Sequence, residues 1–182
     1  LSLNEDLAET LSLAHDLGHT PFGHAGEEVL NECMNKYGGF NHNIQTLRIV
    51  TSIENKYYKF NGLNLTIETL DGLFKHNGAI KDLVPYKKIL KKDLFNNKLF
   101  FNLSPSLEAQ VAAISDDIAY NNHDLEDGLR AKLFNLSSLI SMPYVSSIIK
   151  KHSMKIGKFR KEIIISQIVR DLINLMVIDV IK

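Results

Sequence analysis

The chain reads as all-α, and three observations predict it. Apolar residues recur at three- and four-residue spacing through several long stretches, no stretch alternates with period two, and no two apolar runs flank a two-residue hairpin turn. With 182 residues it is long enough to bury one good core, so a single domain over residues 1–182 is expected.

Leu3, Leu7, Leu11 and Ala14 mark the inner face of a first helix, with Asn4 as its cap and Glu5 and Asp6 complementing its dipole. That helix delivers His15 and Asp16 at its C-terminal end, where Gly18 can stop it. His19 to Gly23, holding Pro21 and flanked by glycines, reads as a turn. A second helix from about His24 to Tyr37, closed by Gly38 and Gly39, puts His24 and Glu27 three apart on one face. A third runs from about Asn43 through Glu54. Thr66 to Lys75 forms a fourth, with Ile67, Leu70 and Phe74 on one side and His76-Asn77-Gly78 ending it, a place where a histidine complements the helix dipole. Residues 79–105 read as loop with a basic run at Lys87, Lys88, Lys91 and Lys92, taken as a solvated face. Pro105 and Ser106 precede a helix from Leu107 to Tyr120 that continues towards Gly128. Further helical pieces are expected at Leu129–Leu136 and Tyr144–Lys151, and Phe159–Ile181 closes the chain.

Composition narrows the class. A hydrophobic share of 45% is that of a globular protein, so disorder is not expected. Twenty-one basic residues balance 21 acidic ones, which gives no indication of a nucleic-acid surface. The single Cys33 excludes an internal disulfide framework, fits a reducing, cytoplasmic setting, and is expected in the core rather than at a redox centre. The apolar stretch Ile163–Ile181 is broken by Arg170, Asp171, Asn174 and Asp179, so a buried helix is expected there and not a membrane span. The chain opens on Leu1 without a basic leader and already inside a helix. A piece of a larger protein is therefore expected, one that associates into a homo-oligomer to cover the apolar last helix.

The chemistry concentrates in Leu13–Glu28, LAHDLGHTPFGHAGEE, which holds three of the seven histidines. Adjacent His15 and Asp16 offer one imidazole and one carboxylate to a divalent ion. Mixed nitrogen and oxygen ligands suit Mn²⁺, Fe, Co or Mg²⁺, and an ion that keeps water can polarise a phosphoryl oxygen or supply hydroxide. A second polar cluster lies on an apolar helix, where Asp116, Tyr120, His123 and Asp124 share a stripe at i, i+4, i+7 and i+8. Asp117 points about 100° away.

His15-Asp16 with a distant Asp on a helix resembles the HD metal-dependent phosphohydrolase superfamily. The strings LAHDLGHTPFGHAGE, GGFNHNIQTLR, GLNLTIETLDGLFKHNG and EAQVAAISDDIAYNNHDLEDGLR are similar to the bacterial deoxyguanosinetriphosphate triphosphohydrolase-like family within it. The resemblance implies an HD-domain helical bundle and cleavage of a dNTP to deoxynucleoside and inorganic triphosphate. It implies His15, Asp16 and Asp116 as metal ligands and His24 as the catalytic histidine, oriented by Glu27. It further implies His19 and His42 near the phosphates, Tyr120 against the deoxyribose and Asp124 near its 3′-hydroxyl. The family's fourth ligand is a histidine on a helix upstream of the His-Asp pair, outside this sequence, so a divalent metal is expected to bind weakly or not at all. Two other readings stand beside this one: an HD phosphohydrolase acting on nucleoside monophosphates or cyclic nucleotides, and a non-catalytic remnant serving as an interaction module.

Overall fold

Asn4 starts the first helix as its composition requires. Its side-chain oxygen accepts the Leu7 amide at 3.0 Å, and α1 follows over Glu5–Ala14. The computed structural model describes residues 1–82 and 103–182, so the Lys87–Lys92 run lies outside the described residues. Within them it has seven α-helices, short 3₁₀ and π segments, and isolated bridges without a sheet. The all-α expectation is correct. The chain divides into two compact units, Ser2–Ala113 and Ile114–Lys182, the latter joined by Leu1.

In the first unit α1 is followed by α2 (Gly23–Cys33), a 3₁₀ turn (Asn35–Tyr37), α3 (His42–Arg48) and α4 (Ile67–Lys75). The expected stop at Gly38-Gly39 takes a definite form. Gly38 is left-handed at φ 103°, its amide reaches the Asn35 carbonyl at 3.2 Å, and the Gly39 amide reaches that of Met34 at 3.0 Å; these paired bonds satisfy otherwise orphaned carbonyls. The expected third helix is wound in two ways, α-helical to Arg48 and then π-helical over Ile49–Ile53. Leu11, Leu47, Val50, Leu70, Leu73 and Phe74 form the core with Ala109 and Ala112. Each large side chain buried there contributes about 1.5–3 kcal/mol.

Helix α5 (Leu107–Arg130) begins in the first unit and runs on into the second, where α6 (Pro143–His152) and α7 (Lys161–Ile181) follow. The second core gathers Leu129, Leu139, Ile149, Ile164, Ile165, Ile168, Val169 and Leu172. The expected helical piece at Leu129–Leu136 does not form. Lys132 turns left-handed at φ 62°, the Leu133 amide reaches the Gly128 carbonyl at 3.0 Å, and the chain re-forms only as a 3₁₀ turn over Leu136–Leu139. The same pair of bonds that a glycine usually permits is made here around a lysine. Helix α7 buries Ile164, Ile165, Ile168, Val169 and Leu172 and leaves Met176 to Ile181 exposed. Cys33 is also exposed, not in the core as expected. Among the described residues no helix is long and apolar enough to cross a membrane.

Candidate active site

His15 caps α1, and its Nδ1 lies 2.9 Å from the Ser12 carbonyl. A carbonyl only accepts, so Nδ1 carries the proton and Nε2 the lone pair. That is how a metal-binding imidazole is held. The adjacent Asp16 Oδ2 stands 3.6 Å from Nε2. These two donors fit a divalent ion by type, tautomer and spacing.

The segment that follows is pinned to α3 from below. Thr46 Oγ1 donates to the His15 carbonyl at 2.9 Å and accepts the Gly18 amide at 2.9 Å. Gly18 is buried, and a Cβ there would stand 2.3 Å from the Thr46 nitrogen and 2.4 Å from the His42 oxygen. Only a residue without a side chain lets the two backbones approach so closely. The turn is drawn onto α2 in the same way, since a Cβ on Gly26 would meet the Pro21 oxygen at 1.9 Å. Phe22 enters α2 at φ 68° with its ring 92% exposed. A bulky residue in the left-handed region is strained, and the packing at Gly18 and Gly26 on either side holds it there.

Helix α2 carries His24 and Glu27, and α3 begins with His42 behind its cap Asn41. Glu27 Oε1 accepts the His42 amide at 2.8 Å, and both carboxylate oxygens lie 2.9 Å from His42 Nδ1. His24 Nδ1 is 3.4 Å from Oε2. Burial alone would raise the Glu27 pKa, but the His42 amide and the two imidazoles outweigh it and hold the carboxyl below its usual range. The His19 ring lies 5.2 Å from that of His24 and 4.9 Å from that of His42. One ligand atom from each of His19, His24, Glu27 and His42 falls within 4.8 Å of every other.

The structure therefore brings four of the expected site residues into one cluster, with His15 and Asp16 on the preceding turn. Glu27, expected to orient His24, makes its shorter bond to His42. His24 is the accessible imidazole, 72% exposed against 8% for His42. Asp116, Tyr120 and Asp124 lie on α5 in the second unit, all three exposed. His123 on the same helix is 4.0 Å from Glu126.

His76, read in the sequence as a helix end, has a further place. It caps α4 with Nδ1 at 3.0 Å from the Leu73 carbonyl, and it is buried. Its ring packs edge-on to His15 at 5.3 Å and lies 6.2 Å from His42. Burial holds its pKa below the usual value; the charges of His15 and His42 act in the same direction, against the Leu73 carbonyl and Asp16. Its signal in the sequence was a histidine directly after a buried helix. Neighbouring Lys75 is buried and paired with Asp71 at 2.8 Å.

Comparison with known proteins gives this arrangement a lineage. The family model described as HD domain matches residues 1–121. The chain is 64% identical over 177 residues to the deoxyguanosinetriphosphate triphosphohydrolase-like protein of Pelagibacter ubique (strain HTCC1062), covering 97% of this chain and 48% of that protein. It is 48% identical over 184 residues to the protein of the same description from Parvibaculum lavamentivorans, covering 99% and 46%. For that of Rickettsia felis the identity is 45% over 179 residues, covering 98% and 46%. The chain spans about half the length of the curated relatives it matches.

Proposed function

We propose that this chain, which belongs to the HD domain family, is the site-bearing part of a metal-dependent phosphohydrolase that cleaves a dGTP-like dNTP to deoxynucleoside and inorganic triphosphate. The observation that carries the reading is the cluster of His24, Glu27, His42 and His19 directly behind the His15-Asp16 pair. The names of the relatives supply the substrate class.

In this reading His15 through Nε2, Asp16 and Asp116 hold a divalent ion of the Mn²⁺, Mg²⁺, Fe or Co type. When bound, such an ion neutralises phosphate charge and makes water a better nucleophile. Breaking the bond between the α-phosphorus and the 5′-oxygen also needs a proton for the leaving alkoxide. His24 gives or takes that proton, because it is exposed to substrate and held by Glu27. His19 and His42 face the phosphates as neutral or cationic donors. In the second unit Tyr120 packs on the deoxyribose and Asp124 accepts from its 3′-hydroxyl, roles given by the family pattern and by their placement four and eight residues beyond Asp116.

The test is a product assay with dGTP and Mn²⁺ on this chain and on a version extended upstream to carry the additional histidine. The extended protein should release inorganic triphosphate and deoxyguanosine, and His24→Ala should abolish release while bound metal stays. Release of monophosphate alone, or hydrolysis of cyclic nucleotides without triphosphate, would replace this reading with the alternative phosphohydrolase. Full turnover in His24→Ala would remove His24 from the proton transfer.

A further inference from the structure

We infer that His19, His24, Glu27 and His42 form a metal site of their own, which takes a transition-metal ion such as Zn²⁺ or Co²⁺ through three imidazoles and one carboxylate. The observation is the mutual approach of one ligand atom from each residue to within 4.8 Å. Zinc bonds of about 2.0–2.1 Å place tetrahedral donors roughly 3.3 Å apart. Glu27 accepts from His42 Nδ1 at 2.9 Å, which leaves the lone pair on His42 Nε2, and it stands 3.4 Å from His24 Nδ1. Closing the wider pairs is a matter of side-chain rotation, and His24 is free to rotate on the exposed side.

The donors are supported as ligands need to be. His19 Nδ1 is committed to the Thr20 carbonyl at 3.2 Å, so its Nε2 carries the lone pair. Glu27 is fixed by the His42 main-chain amide, which sets its oxygens among the rings. The carboxylate remains charged, so the cluster attracts a cation. Three nitrogens and one oxygen prefer Zn²⁺ or Co²⁺ to Mg²⁺. This site is thus chemically different from the His15-Asp16 pair, and entry of the ion displaces protons from the histidines.

The consequence for catalysis rests on the proposed function. An ion on His24 and Glu27 occupies the groups assigned to proton transfer, so Zn²⁺ bound there should inhibit dNTP hydrolysis.

The test is a titration of the 182-residue chain carrying Asp16→Asn with Co²⁺, followed by the visible absorption of the ion. One equivalent with the intense bands of a tetrahedral or five-coordinate nitrogen site is expected, displaced by Zn²⁺ and untouched by Mg²⁺. Adding His24→Gln, at an exposed position that costs little in folding, should weaken binding at least tenfold, and His19→Gln should do the same. Absence of Co²⁺ binding in Asp16→Asn, or binding that ignores both histidine substitutions, would overturn the site. If the extended protein fails to hydrolyse dNTPs while Co²⁺ binds as described, the proposed function falls and the metal site stands.

Discussion

The hydroxyl of Thr46 offers the sharpest test of how this fold builds its site. It bridges two strands of backbone, donating to the His15 carbonyl and accepting the Gly18 amide, each at 2.9 Å. Thr46 itself is 1% exposed. Thr46→Val preserves its shape and deletes both bonds. The Gly18 N–H then has neither a protein partner nor room for water, and an orphaned buried group costs about 1–3 kcal/mol. The His15 carbonyl is nearer the surface and recovers part of its loss from water. A total of about 2–4 kcal/mol is expected, large beside a total stability of about 5–15 kcal/mol. In urea, with a slope of about 2 kcal/mol/M, the midpoint should fall by about 1–2 M. Thr46→Ser keeps the hydroxyl and loses one methyl, for about 1 kcal/mol. Denaturation by far-ultraviolet circular dichroism gives the midpoints, and hydrogen exchange at the Gly18 amide reports the bond itself. Equal midpoints for the Val and Ser variants, with Gly18 still protected in both, would refute the bridging role.

Leu11 is 1% exposed at the centre of the first core, so Leu11→Ala should cost about 2–5 kcal/mol, read from the same urea curves. Glu27 holds its proton less tightly in the fold than in the unfolded chain. Its contribution to stability is therefore complete above its ordinary value of 4.5 and is lost as pH falls through the lower folded value. Glu27→Gln should close the stability gap with the parent protein in that acid window, and a gap independent of pH would contradict the assignment. The exposed Met176, Val177, Ile178, Val180 and Ile181 on α7 should drive self-association. Sedimentation should show concentration-dependent mass that Val177→Lys with Ile181→Lys reduces, and a clean monomer at high concentration would remove this expectation.

Periodicity made the helices legible wherever a helix has one buried face. Leu11, Leu70 and Ile118 are buried as their spacing requires, and the helix starting at Leu107 extends beyond Gly128. What could not be read was the winding after Arg48, because a π segment of five residues is too short for its altered periodicity to show in the apolar pattern. The end of α5 was hidden for a related reason. A lysine in the left-handed position leaves no compositional mark, whereas Gly38 does. The site was legible to the extent that it is local: His15, Asp16, His19, His24 and Glu27 lie within one turn and one helix. His42 arrives from α3 and His76 from the end of α4. The approach of His42 depends on the glycine contact at Gly18, which a sequence shows only as a helix stop.

A proton-transfer imidazole has two needs that conflict, a fixed direction and an open face towards substrate. In the proposed reaction a single carboxylate would meet both by binding two histidines unequally. Glu27 is anchored through the His42 amide and makes its short contacts to the buried ring. It reaches the exposed His24 ring more loosely, at 3.4 Å. Had the short bond gone to His24, the carboxylate would have kept only the His42 amide as its tie to α3 and would be drawn towards an exposed side chain. Had His24 been buried like His42, no phosphate ester could reach it. The division ties α2 to α3 through the buried His42 contact and leaves the exposed His24 ring open to a leaving oxygen in the proposed reaction while it still faces an anion. The same looseness would let a metal ion compete for the ring, so the proposed proton transfer and the proposed zinc site both rest on one arrangement of Glu27.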